Sequence, residues 1–188
     1  MPSNNIGKMP NEVITTFIIM VAAVLIGIIL FSFVSGVILP QENFTYAKDF
    51  ASNLASQTTL SIGPLINNSF VLGVYNPAYS SNFTVFVFIV PSYYIPSIGL
   101  VTPQVYTNQN PFTVILSNGK VASKTFVNKV YDVSGNSLYS SINGYSIPSN
   151  SPVTIIVSVQ KGQVAVVWVM VQNSNYWFRI GYTYTGGQ

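Results

Sequence analysis

From residue 13 to residue 39 the chain runs for 27 residues without a charge: Val-Ile-Thr-Thr-Phe-Ile-Ile-Met-Val-Ala-Ala-Val-Leu-Ile-Gly-Ile-Ile-Leu-Phe-Ser-Phe-Val-Ser-Gly-Val-Ile-Leu. At about 1.5 Å per residue such a helix is roughly 40 Å long, enough to cross a hydrocarbon core with some tilt. It has no polar face to turn to water, so it is not the half-buried helix of a soluble domain. A cleaved secretory signal has a shorter apolar stretch and a positive start, and here only Lys8 and the amino terminus are positive before it. The stretch reads as a retained transmembrane anchor over 13–39, preceded by a short cytoplasmic or leader segment, residues 1–12.

Pro40 then kinks the helix or starts a new turn, because proline is tolerated in a first turn and costs about 3 kcal/mol further in. Beyond it Phe44, Ala47, Ala51, Leu54 and Ala55 recur at three- and four-residue spacing, with Glu42, Lys48, Asp49 and Asn53 on other faces. The pattern predicts an amphipathic extension over 40–59, continuous with the anchor.

From about residue 60 the period falls to two. Short runs rich in Val, Ile, Thr, Tyr and Phe alternate with Gly, Pro, Asn and Ser clusters, the spacing of an antiparallel β-sandwich. Strands are expected at 60–62, 70–75, 83–90, 104–106, 113–116, 120–122, 126–132, 153–160, 164–172 and 177–184. Asn118-Gly119 reads as a type I′ hairpin turn, and Lys161-Gly162 and Asn173-Ser174-Asn175 as the turns of a C-terminal meander. In that meander 164–171 is apolar on both faces, which makes it a central strand with Trp168 in the core. In the last strand Tyr176, Phe178, Ile180, Tyr182 and Tyr184 are expected on one face, opposite Trp177, Arg179 and Thr183. The fold class is therefore α+β and membrane-anchored: one long N-terminal helix, then an antiparallel β-sandwich over 60–188.

The polar inventory limits the chemistry. Charged residues are 6% of the chain, against about 25% in an average soluble domain. There is no His, no Cys, and only four carboxylates: Glu12, Glu42, Asp49 and Asp132. Ser-His-Asp, Cys-His, zinc, haem and blue-copper sites all need residues this chain lacks. No catalytic or metal-binding residue and no cofactor is expected; the reading is a non-enzyme. Lys120, Lys124 and Lys129 are too dilute for a nucleic-acid footprint.

Three Asn-x-Ser/Thr triplets, at Asn43, Asn67 and Asn82, are candidate N-glycosylation sites and place the C-terminal domain outside the cell. Within the anchor, Gly27 and Gly36, with Ser32 and Ser35, offer small surfaces where a second helix can approach. Glu12 at the membrane boundary is either a partner for another subunit's amino terminus or a helix N-terminal charge, with Asn11 as a cap. The long segment 91–111 is apolar rather than disorder-like. Its Tyr93, Tyr94, Ile95 and Tyr106 are either anchors for a partner or a cover for one end of the core.

Asn11-Glu12-Val13-Ile14 leads into Phe17-Ile18-Ile19-Met20-Val21-Ala22-Ala23, and the β region opens with Val74-Tyr75-Asn76-Pro77. With the short polar leader and the amphipathic extension, this organisation resembles archaeal type IV pilin-like proteins, most of all archaellum accessory (stator) proteins of the FlaF/FlaG type. The resemblance implies an anchor in the cytoplasmic membrane and an immunoglobulin-like domain in the pseudoperiplasm. It also implies binding to the S-layer or a sister pilin-like subunit, in a homo- or hetero-oligomer of a motility or pilus machine. The alternative within the group is a structural pilin, a filament subunit assembled through its N-terminal helix. A pilin cut after Gly7 would carry Glu12 at its fifth position, but Ile6 before the glycine and Lys8 after it depart from the pilin pattern. The unprocessed, stator-like anchor is the preferred reading.

Overall fold

The computed structural model describes residues 9–103 and 112–186. The leader to Lys8, the expected strand 104–106 and Tyr106 lie outside the described residues. The chain is α+β: one long apolar helix near the N-terminus, then a β-rich domain of antiparallel sheets. Two compact units, 1–45 and 46–188, divide it.

Helix α1 spans Met9–Phe33 and α2 spans Leu39–Gln57. Between them Val34–Ile38 form one turn of π-helix, in which the Leu39 N–H donates to the Val34 carbonyl. Pro40 explains the wider turn. It has no N–H to give to the Gly36 carbonyl, and its ring crowds that carbonyl. The helix therefore expands ahead of the proline instead of breaking at it. Asn11 and Glu12 lie inside α1, which has begun by Met9, so Asn11 is not its cap. Every described residue from Asn11 to Val34 is exposed, with nothing but apolar side chains after Thr16 until Ser32. By length and composition this helix can cross a membrane.

In the second unit the buried face of α2 is Ala47, Ala51 and Leu54, the expected stripe. Nine strands follow: β1 (Thr59–Ile62), β2 (Ser69–Tyr75), β3 (Asn82–Pro91), β4 (Thr113–Ile115), β5 (Lys124–Asp132), β6 (Ser137–Pro148), β7 (Val153–Ile156), β8 (Gln163–Asn173) and β9 (Tyr176–Gly186). They make a four-stranded sheet, β1-β2-β7-β4, and a closed five-stranded barrel, β3-β6-β5-β9-β8. An immunoglobulin-like sandwich would need two open layers. Here the parallel pairing of β5 with β9, Val130 opposite Trp177 and Asp132 opposite Arg179, closes the second layer on itself.

Several local expectations change with this topology. β7 and β8 do not form a hairpin, because β7 pairs with β2 and β4 and the chain then crosses into the barrel. Residues 120–122 contribute a single bridge, Val121 to Ile115, not a strand. The Asn118-Gly119 turn has positive φ only at Gly119, +78°, and the Gly119 N–H donates to Leu116. It is thus a type I turn closed by a glycine bulge, not type I′. The true type I′ geometry is at Asn67 and Asn68, with φ of 50° and 59° between the bridged Ile66 and Ser69. β6 is a strand that the sequence reading does not contain.

The barrel is filled by Phe86, Phe88, Val127, Val130, Ile142, Trp168, Met170 and Trp177, among others. As expected, β8 is buried on both faces and Trp168 is fully enclosed. The remaining face of β3 and β8 is closed off as well, which requires cover from the apolar side of the four-stranded sheet: Phe70, Leu72, Val74, Val114, Val153 and Ile155.

Candidate interaction surfaces

The residues expected to carry function fall into separate places. Glu12 is exposed in the first turns of α1, and its carbonyl accepts the Thr16 hydroxyl at 2.8 Å. Around Gly27 and Gly36, apart from the flanking residues and the helix's own backbone, no atom among the described residues comes within 4 Å of where a Cβ would stand. Gly27 offers an open, small surface in the apolar helix, whereas Gly36 belongs to the π-turn. Asn43, Asn67 and Asn82 are all exposed. Asn67 projects from the type I′ turn and Asn82 stands at the start of β3.

The segment after β3 forms a 3-10 helix, Ser92–Ser97. It divides the expected aromatic group. Tyr93 is 72% exposed, while Tyr94 and Ile95 are partly buried against the barrel core together with buried Ile98 and Val101. The Tyr93 and Tyr94 rings touch at 4.5 Å between centroids. One side of the helix is therefore a lid on the barrel, and Tyr93 is its outward-facing aromatic.

Below this lid lies Arg179, the chain's one arginine. Its Nη1 donates to the Gly99 carbonyl at 3.1 Å, and the guanidinium stands 5.0 Å from the Trp168 ring centroid and 5.2 Å from that of Tyr182. Burial depresses its pKa, opposed by the nearby Tyr182 and Asp132. The expected face pattern of β9 fails here for a definable reason. The β8–β9 register slips between Val169 and Met170, so Met170 pairs with Arg179 while Trp168 pairs with Tyr182 and Val166 with Tyr184. The bulge at Ile180 resets the alternation and puts Arg179, Tyr182 and Tyr184 on the barrel-facing side. Trp168 Nε1 has no hydrogen-bond partner among the described residues, and its ring instead receives the cation of Arg179.

Asn76 is the polar centre of the α2–β junction and is fully buried. Its N–H donates to Asn150 Oδ1 at 2.8 Å. Its Nδ2 donates to the Leu54 carbonyl at 3.3 Å and to Thr58 Oγ1 at 2.9 Å, and its Oδ1 accepts the Ala78 N–H at 2.9 Å. Beside it Tyr79 packs on Phe50 and Phe83, with centroids at 6.3 and 4.9 Å. Burial raises the Tyr79 pKa, against a lowering hydrogen bond with Ser81.

Two surfaces that sequence reasoning did not single out are also present. The outer face of β5 shows Lys124, Phe126 and Lys129 to solvent, with Phe126 62% exposed and Val121 exposed nearby in sequence. The solvent side of α2 shows Glu42, Tyr46, Asp49 and Asn53, with Tyr46 70% exposed. Their spacing of four, three and four residues makes one stripe, turned away from Ala47, Ala51 and Leu54. The helical spacing of Glu42, Tyr46, Asp49 and Asn53 carries a signal for the α2 stripe, whereas an apolar Phe126 in a strand carries none for its exposure.

No protein-family model matches the chain, and no curated protein and no solved structure matches it.

Proposed function

We propose that this chain is a non-enzymatic, membrane-anchored scaffold of an archaeal cell-surface machine. It is of the archaellum accessory, stator-like kind, with its β domain outside the cytoplasmic membrane, binding the S-layer or a sister subunit. The observation that carries the reading is the helix. Its first part is apolar all round and exposed, and its last turns are tied by Ala47, Ala51, Leu54 and the Asn76 hydrogen bonds to the β domain. The apolar part supplies a lipid anchor and the last turns of α2 belong to the β domain, and holding a partner at a membrane demands both. In this reading the four-stranded sheet and the barrel stand where the two layers of an immunoglobulin-like sandwich are expected. Exposed sequons at Asn43, Asn67 and Asn82 favour an external domain, and Tyr93 is the aromatic best placed to meet a partner.

The second reading, a pilin, is favoured by Glu12 standing exposed at the head of an unpartnered apolar helix. One experiment separates the two. Full-length protein in detergent is passed over immobilised S-layer extract, and purified filaments are probed for the same chain. Retention by the lattice protein supports the scaffold. Incorporation into filaments, with an intact mass lacking the first seven residues, reverses the order.

A further inference from the structure

The charges of this chain are segregated. After α2 the β domain carries Lys120, Lys124, Lys129, Lys161 and Arg179 against a single acid, Asp132. Asp132 is occupied in its own turn: Oδ1 accepts the N–H groups of Ser134 and Asn136, and Oδ2 accepts Asn136 Nδ2. Every other carboxylate side chain is on the helices, and two of them, Glu42 and Asp49, flank the exposed Tyr46 on one stripe.

The two surfaces carry opposite charge around an exposed ring. On α2 the order is acid, aromatic, acid from Glu42 to Asp49, about 10 Å at 1.5 Å per residue, a length that the long lysine side chains can span from β5. On β5 the order is Lys124, Phe126, Lys129, over about 16 Å at 3.3 Å per residue. Lys129 is exposed, and its ammonium stands 5.0 Å from the Tyr131 ring centroid. An exposed Phe flanked by lysines is an apolar anchor with a cationic rim, the form of site that an aromatic flanked by carboxylates completes.

We propose that a second copy of this chain docks here, the α2 stripe of one molecule lying along the β5 face of the next. Tyr46 packs against Phe126, and Glu42 and Asp49 face the lysines. The contact joins two different surfaces, so it is head-to-tail: each pair leaves one stripe and one barrel face open and can extend into a row or ring. The patch is small, and the association draws on two copies sharing one membrane, which raises their effective concentration. The inference concerns contacts between copies and holds whether or not the domain also binds a lattice.

The chain has no cysteine, so introduced thiols are unique. Full-length Phe126→Cys and Tyr46→Cys chains are co-reconstituted in phosphatidylcholine vesicles and oxidised. The mixed dimer should dominate over either homodimer, and should fall as salt rises. Lys124→Glu with Lys129→Glu in the Phe126→Cys chain should cut the mixed dimer about tenfold, since like charges then face each other. Adding Glu42→Lys and Asp49→Lys to the Tyr46→Cys chain should restore it, which a misfolded variant could not do. The proposal is overturned if Phe126→Cys homodimers prevail, if Val71→Cys on the other sheet crosslinks equally well with Tyr46→Cys, or if the double reversal fails to rescue. S-layer retention with no mixed dimer would overturn this inference and leave the scaffold reading standing.

Discussion

Asn76 is where the helix becomes part of the β domain, and its removal has a calculable cost. The side chain makes three hydrogen bonds: two donated, to Leu54 and Thr58, and one accepted from Ala78. At about 1 kcal/mol net each, Asn76→Ala should cost about 3 kcal/mol, the Leu54 carbonyl keeping the Thr58 hydroxyl at 2.7 Å. For a chain of this size, that lowers Tm by about 6–12 °C. Thermal melts of the full chain in detergent, followed by the fluorescence of Trp168 and Trp177, report it, since both indoles lie in the β domain. Hydrogen exchange should quicken first in the last turn of α2.

Asn76→Asp sharpens the test because it keeps the shape and exchanges donors for acceptors. A buried carboxylate facing the Leu54 carbonyl is disfavoured in its charged form, so its folded pKa is raised above the unfolded value of about 3.9. The added penalty is therefore absent below pH of about 4 and grows as pH rises toward the folded pKa. The Asp variant should be no worse than the Ala variant at pH 3 and clearly worse at pH 7, each against wild type at the same pH. Parallel curves for the two variants, or a loss below about 2 °C for Asn76→Ala, would refute the hydrogen-bond account of the junction.

Four further outcomes are expected. Gly144→Ala places a Cβ 2.8 Å from the Val85 carbonyl oxygen and 2.6 Å from Thr84 Cγ2; it should cost about 1–3 kcal/mol by denaturant melts. Gly119→Ala, in open space but at φ +78°, should cost only about 1 kcal/mol. Arg179→Met removes the stacking on Trp168 and Tyr182 and the bond to Gly99, and should cost about 1–3 kcal/mol while shifting Trp emission. Burial raises the Asp132 pKa, but hydrogen bonds from the Asn136 side chain and from the N–H groups of Asn136, Ser134 and Gly135 outweigh it, so the net pKa is lowered. A lowered acid contributes stability above its unfolded pKa and loses it as pH falls through the folded one. The stability gap between wild type and Asp132→Ala should therefore close in strong acid; a gap constant down to pH 2 would contradict the turn's geometry.

What the sequence discloses is what is decided locally. The N-terminal helix is legible because every one of its faces is apolar, and β8 is legible because both of its faces are. β6 is not: Ser-Leu-Tyr-Ser-Ser-Ile-Asn-Gly-Tyr-Ser-Ile-Pro has few β-branched residues, and it becomes a strand because β3 and β5 pair with its two edges. Gly144, which reads as a breaker, is there because β3 passes too close for a side chain. Barrel closure rests on three register pairs between β5 and β9, strands separated by the whole of β6, β7 and β8, and no short-range pattern encodes such a pairing.

The surfaces follow the same division. Glu12, Gly27 and the sequon asparagines could be placed from the sequence because position along a helix or in a turn fixes their exposure. Tyr94 and Ile95 could not be told from Tyr93, since burial there depends on which side of one 3-10 turn meets the barrel. A single bulge brings Tyr182 and Tyr184 to the side of Arg179, where the expected alternation puts them opposite it. Phe126 is the converse case: an apolar residue in a strand reads as core, yet Val127 and Val130 fill the barrel and Phe126 is left outside between two lysines. In a chain so sparing of charge, lysines around an exposed ring on one element and carboxylates around another ring elsewhere are what the proposed contact between copies draws on.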